Sequence, residues 1–422
     1  MTKFEPRAFL SDLFQAAVDA ADPKVMLKDY VPDPPKGRLV VVGAGKASAH
    51  MARAFEEAYS SPLEGLVVTR KGSAVPCERI EIVEASHPVP DEGSFEAARR
   101  MMDLVSGCGE DDLVVALISG GGSSLLSLPP ASVPPEDKQA LNAALLKSGA
   151  PIHEMNAVRK HVSGIKGGRL AACAHPARVL SLIISDIPGD DPSLVASGPT
   201  VPSLPDRADA LEIIERYQMD LPESVVSWMA REEAAAPRPN DPGFSRDEVK
   251  LVATAERSLL AAKQYAEAAG ISAYILSDDL EGEARDVGGA LAALAARCHR
   301  LGEPFKPPCV LLSGGETTVT VRHKGRGGRN TELLLSAAFK ISGENGIYAL
   351  AADTDGIDGS EDNAGAFIDA KTIDGLVKKG LKPKALLAGN DAYTAFEALD
   401  ALFAPGPTAT NVNDFRAFLI LE

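Results

Sequence analysis

Apolar and polar positions follow two different periods along this chain. Short runs of β-branched and aliphatic residues predict buried strands, and longer stretches with apolar residues three or four positions apart predict helices. In the first half, strands are expected at 38–43, 65–69, 80–84, 113–118 and 179–185, and helices at 47–59, from Asp91, at 135–147 and at 154–173. This alternation predicts a mainly parallel sheet covered by helices on both faces.

The same alternation resumes in the second half, beyond a segment rich in proline. Residues 234–243 carry three prolines and show no period, which is typical of a linker. Strands are then expected at 251–254, 272–276, 308–312, 317–323 and 346–351, and helices at 255–269, at 283–300 and from Asn330. We therefore predict two α/β domains: residues 1–240, Rossmann-like with three layers, and residues 241–422, which form a smaller α/β domain.

The composition is that of a globular protein with an acidic net charge. Of the 422 residues, 45% are hydrophobic and 24% are charged, and the formal net charge is −16. A protein that neutralises nucleic-acid phosphates needs a basic face, so broad nucleic-acid binding is not expected. An anionic substrate needs a local basic pocket instead, and Lys and Arg gather at 159–169 and at 322–329.

The cysteines and the N-terminal segment predict a cytoplasmic location. The five cysteines lie far apart and include no C-x-x-C pair, so neither a disulfide framework nor a zinc ribbon is indicated. The segment from Phe4 to Ala21 has a helical pattern of apolar and acidic residues, without the basic start and apolar core of a signal peptide. No apolar run is long enough to span a bilayer, so no membrane association is expected.

Three predicted strands run directly into glycines. The loops are Gly43 to Lys46, Ser119 to Ser124 and Ser313 to Glu316. A strand that ends in glycine before a helix exposes backbone N–H groups where an anion binds, so these loops favour a phosphate-binding enzyme. The alternative for each loop is a tight turn or close packing between a helix and a strand.

The first two loops do not match the familiar phosphate or hydrolase motifs. Ser48 replaces the third glycine of a dinucleotide fingerprint, and Ala47 replaces the hydroxyl residue of a Walker A sequence. What remains is Lys46 at the carboxyl end of a strand, where open α/β sheets bind ligands. The spacing of Ser119–Ser124 is not that of G-x-S-x-G, so its glycines and serines suit phosphate oxygens better than a nucleophile.

Two further loops carry opposite charges. Residues 353–359 hold three aspartates but fail the EF-hand spacing, so these carboxylates are expected to hold Mg2+ through waters or to orient a hydroxyl; the alternative is a turn with solvated acids. Arg326 and Arg329 lie in a glycine-rich loop ahead of a helix, a pattern suited to bidentate capture of carboxylate or phosphate. No acidic residue lies between Arg322 and Asn330, so these charges are expected to lack a local partner.

The motifs form an ordered series over nearly the whole chain. They are Val42–Ala47, His87–Asp91, Ser119–Ser124, Asn156–His161 with Lys166–Arg169, Ser185–Asp186, Ala196–Pro199, Gly314–Thr317, Gly327–Asn330, Thr354–Gly356 and Gly406–Thr408 with Thr410–Asp414. This series resembles the glycerate 2-kinases of the two-domain bacterial and animal type, whose C-terminal domain is called MOFRL. Ala409 is a departure, because glycine is expected there in the family.

The resemblance implies an activity with its cofactors and partners. A member of this family transfers the γ-phosphoryl group of ATP to the 2-hydroxyl of D-glycerate, giving 2-phosphoglycerate and ADP, with Mg2+. The expected partners are therefore D-glycerate and ATP, the active site is expected in a cleft between the two domains, and a homodimer is left open. The first alternative is an NAD(P)H-dependent hydroxypyruvate reductase, which the broken glycine fingerprint disfavours. The second is a non-catalytic protein that binds sugar acids or nucleotides.

The resemblance also implies roles for individual positions. Lys46 and Arg329 are the expected catalytic cations, suited to neutralise charge on the transferred group, with Asp186 and Asp355 as acidic candidates. The expected nucleotide-binding positions are Gly43, Gly45, Ser119, Gly120, Gly121, Gly122, Ser123, Ser124, Asp190, Gly314, Gly315 and Glu316. The expected substrate-binding positions are Asn156, Arg159, Lys160, Arg326 and Asn330, and the expected Mg2+ ligands are Asp186, Asp190 and Glu316.

Overall fold

Residues 5–422 are described by a computed structural model, in which the chain divides into two units. We call Met26–Val252 the N-terminal unit, and residues 5–25 together with Ala253–Glu422 the C-terminal unit. Phe4, where the predicted first helix begins, lies outside the described residues. None of the helices in residues 5–422 is both long enough and apolar enough to cross a membrane.

Helices and strands alternate along both units. In chain order the helices are α1 (Pro6–Ala20), α2 (Pro23–Met26), α3 (Ser48–Ala58), α4 (Glu92–Ser106), α5 (Gly122–Leu125), α6 (Pro135–Ser148), α7 (Ile152–His161), α8 (Arg169–Ala174), α9 (Arg207–Arg216), α10 (Glu223–Met229), α11 (Ala255–Ala268), α12 (Ala284–Leu301), α13 (Arg329–Ile341), α14 (Thr372–Lys378), α15 (Pro383–Ala388) and α16 (Ala392–Ala398). The strands are β1 (Leu39–Ala44), β2 (Glu64–Arg70), β3 (Ile80–Ala85), β4 (Leu113–Ile118), β5 (Arg178–Ile184), β6 (Glu248–Ala253), β7 (Ser272–Ser277), β8 (Gly282–Glu283), β9 (Cys309–Ser313), β10 (Thr317–Thr318), β11 (Ile347–Asp353), β12 (Gly365–Asp369), β13 (Leu402–Phe403) and β14 (Asp414–Ile420).

The described part of the N-terminal unit contains a six-stranded sheet in the order β3-β2-β1-β4-β5-β6. Strands β1 to β5 run parallel, and every residue of β1 and β4 is buried, as expected for a parallel sheet covered on both faces. The predicted parallel sheet is therefore confirmed. Because the strand order reverses between β1 and β4, the loops after these strands lie side by side at the carboxyl edge, where such sheets bind ligands.

The helix predicted over 154–173 is two helices, α7 and α8, separated by a turn. Gly167 and Gly168, directly before α8, have φ values of 62° and 82°, which lie in the left-handed region and cannot be part of a right-handed helix. The hydroxyl of Ser163 accepts hydrogen bonds from two backbone N–H groups downstream, at 3.3 and 3.2 Å, and holds the turn. The break brings the side chain of Lys166 to the loop that follows β4.

The proline-rich segment 234–243 packs against the N-terminal unit. The guanidinium of Arg238 donates to Asp206 at 2.6 Å, and β6 then joins the sheet beside β5. The division between the units accordingly falls after Val252, whereas the sequence predicts it after residue 240. The sequence predicts a strand at 251–254 but in the second domain, whereas β6 lies beside β5 in the sheet of the N-terminal unit.

Helix α1 groups with the C-terminal unit because it has an apolar face. Phe9, Leu10 and Phe14 are buried and cluster with Leu259 and Ala262 of α11. From the sequence alone, this helix is predicted to belong to the first domain. Its packing partner lies far along the chain, and helical periodicity shows that a face is buried without showing against what.

The sheet in the described part of the C-terminal unit is mixed, with strand order β13-β12-β11-β14-β9-β7. Strands β7 and β9 run parallel, and the other neighbouring pairs are antiparallel. Leu311 packs in one hydrophobic cluster, with α12 and α13, and Leu312 in another, with α1 and α11. Since successive side chains of a strand point to opposite faces, helices cover both faces of this sheet.

The strand predicted over 317–323 is reduced to β10, which pairs with β8. Beyond β10 the backbone donates to side chains instead of to a neighbouring strand. Thr320 N–H donates to Glu283 Oε2 at 3.2 Å, and Arg322 N–H donates to Asn390 Oδ1 at 2.8 Å. These acceptors satisfy the backbone, so the alternating pattern does not extend the sheet.

The register of β14 brings charged residues together inside the second sheet. Asp414 lies opposite Asp353 of β11, and Arg416 lies opposite Ser313 of β9. Two carboxylates directly opposite each other repel, so a cation is needed between them. Helix α13 supplies that cation with its first residue, Arg329.

Candidate active site

The loop after β1 is held by hydrogen bonds to the loop after β4. Lys46 N–H donates to Gly120 O at 2.8 Å, and Ala47 N–H donates to Ser119 Oγ at 3.1 Å. These N–H groups are used within the protein, so this loop does not present them to an anion, contrary to the prediction. Its effect is to fix the base of the Lys46 side chain at the carboxyl edge of the sheet.

The loop after β4 contains glycines that leave room for side chains from other elements. A methyl group at Gly120 would overlap the carboxylate of Asp186. A methyl group at Gly121 would lie 3.1 Å from both His87 Nε2 and Lys46 Cγ. Two predicted site residues, Lys46 and Asp186, are therefore brought to one loop from separate strands.

The serines of this loop have different environments. Ser119 is fully buried, and its Oγ lies 3.0 Å from Ser48 Oγ, so it joins two loops instead of facing a ligand. Ser123 Oγ lies 2.7 Å from Ser197 Oγ, and both Ser123 and Ser124 line a cavity. Of the three predicted nucleotide-binding serines, two therefore face space that a ligand can occupy.

That cavity has a volume of 510 Å³ and a basic lining. Lys138 of α6, Arg159 of α7 and Lys166 contribute to its wall, and no acidic side chain is among the described residues that line it. The sequence predicts a role for Arg159, whereas Lys166 belongs to a basic run and to a family motif but has no predicted role. Lys138 is a lone lysine on a helix, and no motif identifies it.

A second cavity, of 490 Å³, also uses helix α7. Asn156 and Lys160 line it together with apolar residues such as Leu204 and Ile213. The predicted substrate-binding residues of this helix are thus divided between two cavities, since Arg159 lines the basic one.

The ammonium of Lys160 already has partners within the protein. Its Nζ donates to the backbone oxygen of Ser203 at 3.2 Å and to the hydroxyl of the same residue at 2.5 Å. Burial lowers the pKa of Lys160 to about 8, although nearby aspartates, of which Asp209 acts most strongly, oppose the shift. Lys160 is therefore less suited to hold an anion than its predicted role requires.

Ser197 lines both cavities and has an unusual backbone conformation. The φ values of Ala196 and Ser197 are 52° and 61°, in the left-handed region that side chains with a β-carbon rarely adopt. Gly167 N–H donates to Ser197 O at 3.1 Å and helps to hold this turn. Strain that the surrounding structure maintains is common at ligand sites. Ser197 is therefore a candidate ligand-binding residue. The sequence predicts no role for it, although it lies in the family motif Ala196–Pro199.

In the C-terminal unit, Arg329 is surrounded by carboxylates. Its Nε donates to Asp414 at 2.9 Å, its Nη2 donates to Asp353 at 2.7 Å, and its Nη1 lies 3.2 Å from Glu316 Oε1. Although burial lowers the pKa of Arg329, attraction to Asp414, Asp353 and Glu316 raises it above its ordinary value. The expectation that this charge lacks a local partner is therefore wrong, because Asp353 and Asp414 come from strands distant in the sequence and Glu316 comes from the loop before β10.

Asp414 also holds a second guanidinium, that of Arg416. Arg416 is fully buried; its Nη2 donates to Asp414 at 2.6 Å, and its Nη1 donates to Gly314 O at 2.6 Å. The carbonyl of Gly315 accepts a further bond from Nη2 at 3.3 Å. The loop Ser313 to Glu316 thus directs two carbonyl oxygens at an arginine. It is predicted instead to direct backbone N–H groups at a phosphate. Both charges interrupt the apolar run of β14, and that signal could have identified them.

The aspartates of 353–359 are buried, not solvated. Asp353, Asp355 and Asp358 are each less than a tenth exposed. Burial and then the neighbouring charge of Asp355 raise the pKa of Asp353 well above its usual range. The alternative of a solvated turn is therefore wrong for this segment.

Asp358 has a structural role that the sequence analysis did not assign. Its carboxylate accepts hydrogen bonds from Asn330 N–H at 3.0 Å and Thr331 N–H at 2.9 Å, which caps the start of α13. Burial raises the pKa of Asp358 to about 6. The cap orients the first turn of the helix, and with it Arg329.

Arg326 lies at the surface of this unit. Its guanidinium pairs with Glu397 at 2.8 Å and lies 4.3 Å from the centre of the Tyr393 ring. Arg326 and Arg329 both line a cavity of 290 Å³, as does Thr317. The hydroxyl of Thr317 is buried without a hydrogen-bond partner among the described residues.

The predicted Mg2+ ligands are not assembled into a metal cage. In residues 5–422, no group of three or more His, Cys, Asp or Glu side chains is arranged to hold a metal ion. Asp186 lies against Gly120, Asp190 is in the turn after β5, and Glu316 pairs with Arg329. An ion bound here would need ligands from a substrate.

Two family profiles match successive parts of the chain. A domain of unknown function, DUF4147, matches residues 9–230, and the MOFRL family matches residues 309–414. The chain is 40% identical over 412 residues to the D-glycerate 2-kinase of Thermotoga maritima, covering 97% of each protein. It is 52% identical over 417 residues to a protein of Agrobacterium vitis with the provisional name hydroxypyruvate reductase, covering 98% of this chain and 94% of that relative.

The fold is also similar to that of a solved structure. The crystal structure of the glycerate kinase of Thermotoga maritima superposes with a TM-score of 0.90 at 38% identity, and the match covers 99% of each chain. The similarity thus extends over both units.

Proposed function

The chain belongs to the family of two-domain glycerate kinases with DUF4147 and MOFRL domains, and we propose that it transfers the γ-phosphoryl group of ATP to the 2-hydroxyl of D-glycerate. The products are 2-phosphoglycerate and ADP. The observation that carries this proposal is the similarity to the Thermotoga maritima D-glycerate 2-kinase over nearly all of both chains. The structural match to a glycerate kinase agrees with it.

The residues of the N-terminal unit suit the anionic reactants. We assign Lys46 to the transferred phosphoryl group and the Ser123 and Ser124 hydroxyls to nucleotide phosphates, because phosphoryl transfer is accelerated mainly by positioned donors and cations. These hydroxyls line the basic cavity, and Lys46 Cγ lies beside Gly121 of the same loop.

The residues of the C-terminal unit suit charge neutralisation and hydroxyl orientation. We assign Arg329 to the phosphoryl group or to the glycerate carboxylate, since a guanidinium donates to either in a bidentate manner. Its partners Asp353 and Asp414 fix its orientation before a ligand binds. Asp355 remains the candidate to orient the attacking hydroxyl.

The acidic residues present fit a magnesium ion bound jointly with a nucleotide. Mg2+ commonly takes only one or two carboxylates and fills its other positions with phosphate oxygens and waters. Asp186 suits this role because Gly120 has no β-carbon and so leaves room for the Asp186 carboxylate beside the serine loop, Ser119–Ser124. Asp186 and Asp190 are the ligands we propose in the N-terminal unit, and Glu316 is a separate candidate ligand in the C-terminal unit. The ion would supply positive charge to the phosphates.

The hydroxypyruvate reductase alternative receives no support from the first glycine loop. A dinucleotide site uses the N–H groups of this loop to hold a pyrophosphate. Here Lys46 and Ala47 donate theirs to Gly120 and Ser119. The name of the Agrobacterium vitis relative therefore does not lead us to propose reduction for this chain.

The activity is tested with the purified protein, D-glycerate, ATP and Mg2+, by a separation that resolves 2-phosphoglycerate from 3-phosphoglycerate. We expect 2-phosphoglycerate and an equal amount of ADP. NADH oxidation with hydroxypyruvate is followed in parallel. Reduction of hydroxypyruvate without phosphorylation of glycerate would overturn the proposal. Light scattering of the same sample checks the homodimer, and cell fractionation checks the cytoplasmic location.

Replacement of Gly120 by alanine is expected to lower kcat about tenfold, because the added methyl group overlaps the Asp186 carboxylate and displaces it. Steady-state kinetics of Gly120→Ala measure the effect. The matched control is Gly109→Ala, whose added methyl group has no atom within 4 Å in the described structure. Unchanged kcat in a folded Gly120→Ala variant would remove Asp186 from the proposed site.

A further inference from the structure

The basic cavity of the N-terminal unit contains two lysines that the proposed function has not used. The side chain of Lys138 comes from α6 and that of Lys166 from the turn between α7 and α8. Both residues are more than nine-tenths buried, and both line the cavity together with Arg159. Lysine is rarely buried without a carboxylate partner, and none lines this cavity among the described residues.

The hydrogen bonds of these lysines account for only part of their donors. Lys166 Nζ donates to the backbone oxygen of Ser123 at 2.5 Å, and Lys138 Nζ donates to the backbone oxygens of Arg159, at 3.3 Å, and Val162. An ammonium group has three N–H donors. Within the described residues, Lys166 therefore uses one donor and Lys138 uses two, and the remainder are available to a ligand.

The positive charges around the cavity repel one another in the absence of an anion. Burial and the nearby guanidinium of Arg159 lower the pKa of Lys138 to about 7. Burial, followed by repulsion from Lys138 and Arg159, lowers the pKa of Lys166 well below its usual range. An anion in the cavity would offset this repulsion and favour the protonated form of both lysines.

We infer that Lys138, Lys166 and Arg159 form a buried receptor for one oxyanion group of a reactant, either a nucleotide phosphate or the glycerate carboxylate. The inference rests on the proposed function, which supplies both kinds of oxyanion. The receptor is tied to the serine loop through the bond from Lys166 to Ser123, so an anion held there lies next to the hydroxyls of Ser123 and Ser124.

A purely structural role is the competing explanation. The carbonyls that Lys138 contacts are those of Arg159 and Val162, at the end of α7, where a lysine also stabilises the helix C-terminus. That role predicts a loss of stability on substitution without any change in the affinity of the folded protein for oxyanions. The receptor predicts weaker binding by the folded variants.

The test measures binding without turnover, by titration calorimetry with ADP alone and with D-glycerate alone. Lys166→Met and Lys138→Met keep most of the length of each side chain and remove its charge. We expect each to weaken the binding of one of the two ligands by roughly tenfold to a hundredfold, as for hydrogen bonds to charged groups. Weaker ADP binding identifies the phosphate as the group held, and weaker D-glycerate binding identifies the carboxylate. The matched control is Lys147→Met, an exposed lysine on the same helix as Lys138, which should bind both ligands as the wild type does.

The result that overturns the receptor is unchanged affinity for both ligands in a folded variant, with folding checked by thermal unfolding. Because the two variants remove different amino groups, either one decides the question if the other does not fold. Failure of the receptor is distinguishable from failure of the proposed function. If the wild type phosphorylates D-glycerate and Lys166→Met binds both ligands as the wild type does, only the receptor is rejected. If Lys166→Met binds ADP more weakly but the wild type does not phosphorylate D-glycerate, only the kinase activity is rejected.

Discussion

Replacement of Arg329 by alanine is expected to lower kcat about a hundredfold, because the proposal makes this guanidinium a positioned cation for the reacting groups. The same change removes the arginine partner of Asp353 and one of the two arginine partners of Asp414, and these two carboxylates are buried opposite each other. Removing one partner of a buried ion pair costs about 3–5 kcal/mol, and we expect about 3 kcal/mol here, since the side chain of Arg329 is 24% exposed. Steady-state kinetics and denaturant unfolding measure the two effects.

Two comparisons separate the chemical effect from the loss of stability. Arg329→Lys keeps a positive charge between the aspartates but loses the planar fork, so we expect it to recover much of the stability and little of the activity. Guanidinium ion added to the folded Arg329→Ala variant should restore part of the turnover by occupying the same space. Wild-type kcat in folded Arg329→Ala would exclude Arg329 from the reaction.

Lys46→Met is expected to lower kcat and kcat/KM together by about a hundredfold, because a cation that acts on the transferred phosphoryl group contributes mainly in the transition state. The loop should keep its conformation. The loop is held by the backbone N–H of Lys46, which donates to Gly120 O and is unaffected by the side chain. The measurement is steady-state kinetics with ATP and D-glycerate varied in turn.

The pattern of the kinetic constants tests the assigned role of Lys46. A higher KM for ATP with unchanged kcat would show that Lys46 only binds the nucleotide, and normal kinetics would remove it from the site. The double variant with Arg329→Ala adds a further criterion. If both cations act on the same step, the combined loss should be smaller than the product of the single losses, as for residues that act as a unit.

The central strands of the first sheet could be predicted because they are buried on both faces. Such strands appear in the sequence as continuous apolar runs, and the prediction of 113–118 coincides with β4. The parallel order then places Lys46 and the serine loop at the same edge, as expected from the general rule for open sheets. Local pattern and topology were sufficient for this part of the site.

The pairing of charges could not be predicted, because it depends on strand register. Nothing near Arg329 in the sequence indicates that Asp353, Asp414 and Glu316 surround it. The register that brings these residues together is set by β14, the C-terminal strand, which pairs with β11 and β9. This strand was not predicted from the sequence. The basic run at 159–169 indicated part of the basic cavity, but Lys138 was missed, since it reaches the cavity from a helix with no recognisable motif.

The glycines show that one sequence pattern serves several purposes. Gly120 makes room for a carboxylate, whereas Gly314 and Gly315 offer their carbonyl oxygens to a buried arginine. A phosphate-binding loop and a tightly packed loop look alike in sequence. Only the atoms that surround each glycine distinguish them.

The buried charges at Asp353, Arg329, Asp414 and Arg416 form one continuous chain of ion pairs. The loss of any one member leaves at least one neighbour with one charged partner fewer inside the protein, so single substitutions are disfavoured. These positions are therefore expected to be inherited together, and a lineage that changes one should change at least one other at the same time. The exposed pair of Arg326 and Glu397 has no such constraint, so either residue can be substituted without a change in the other.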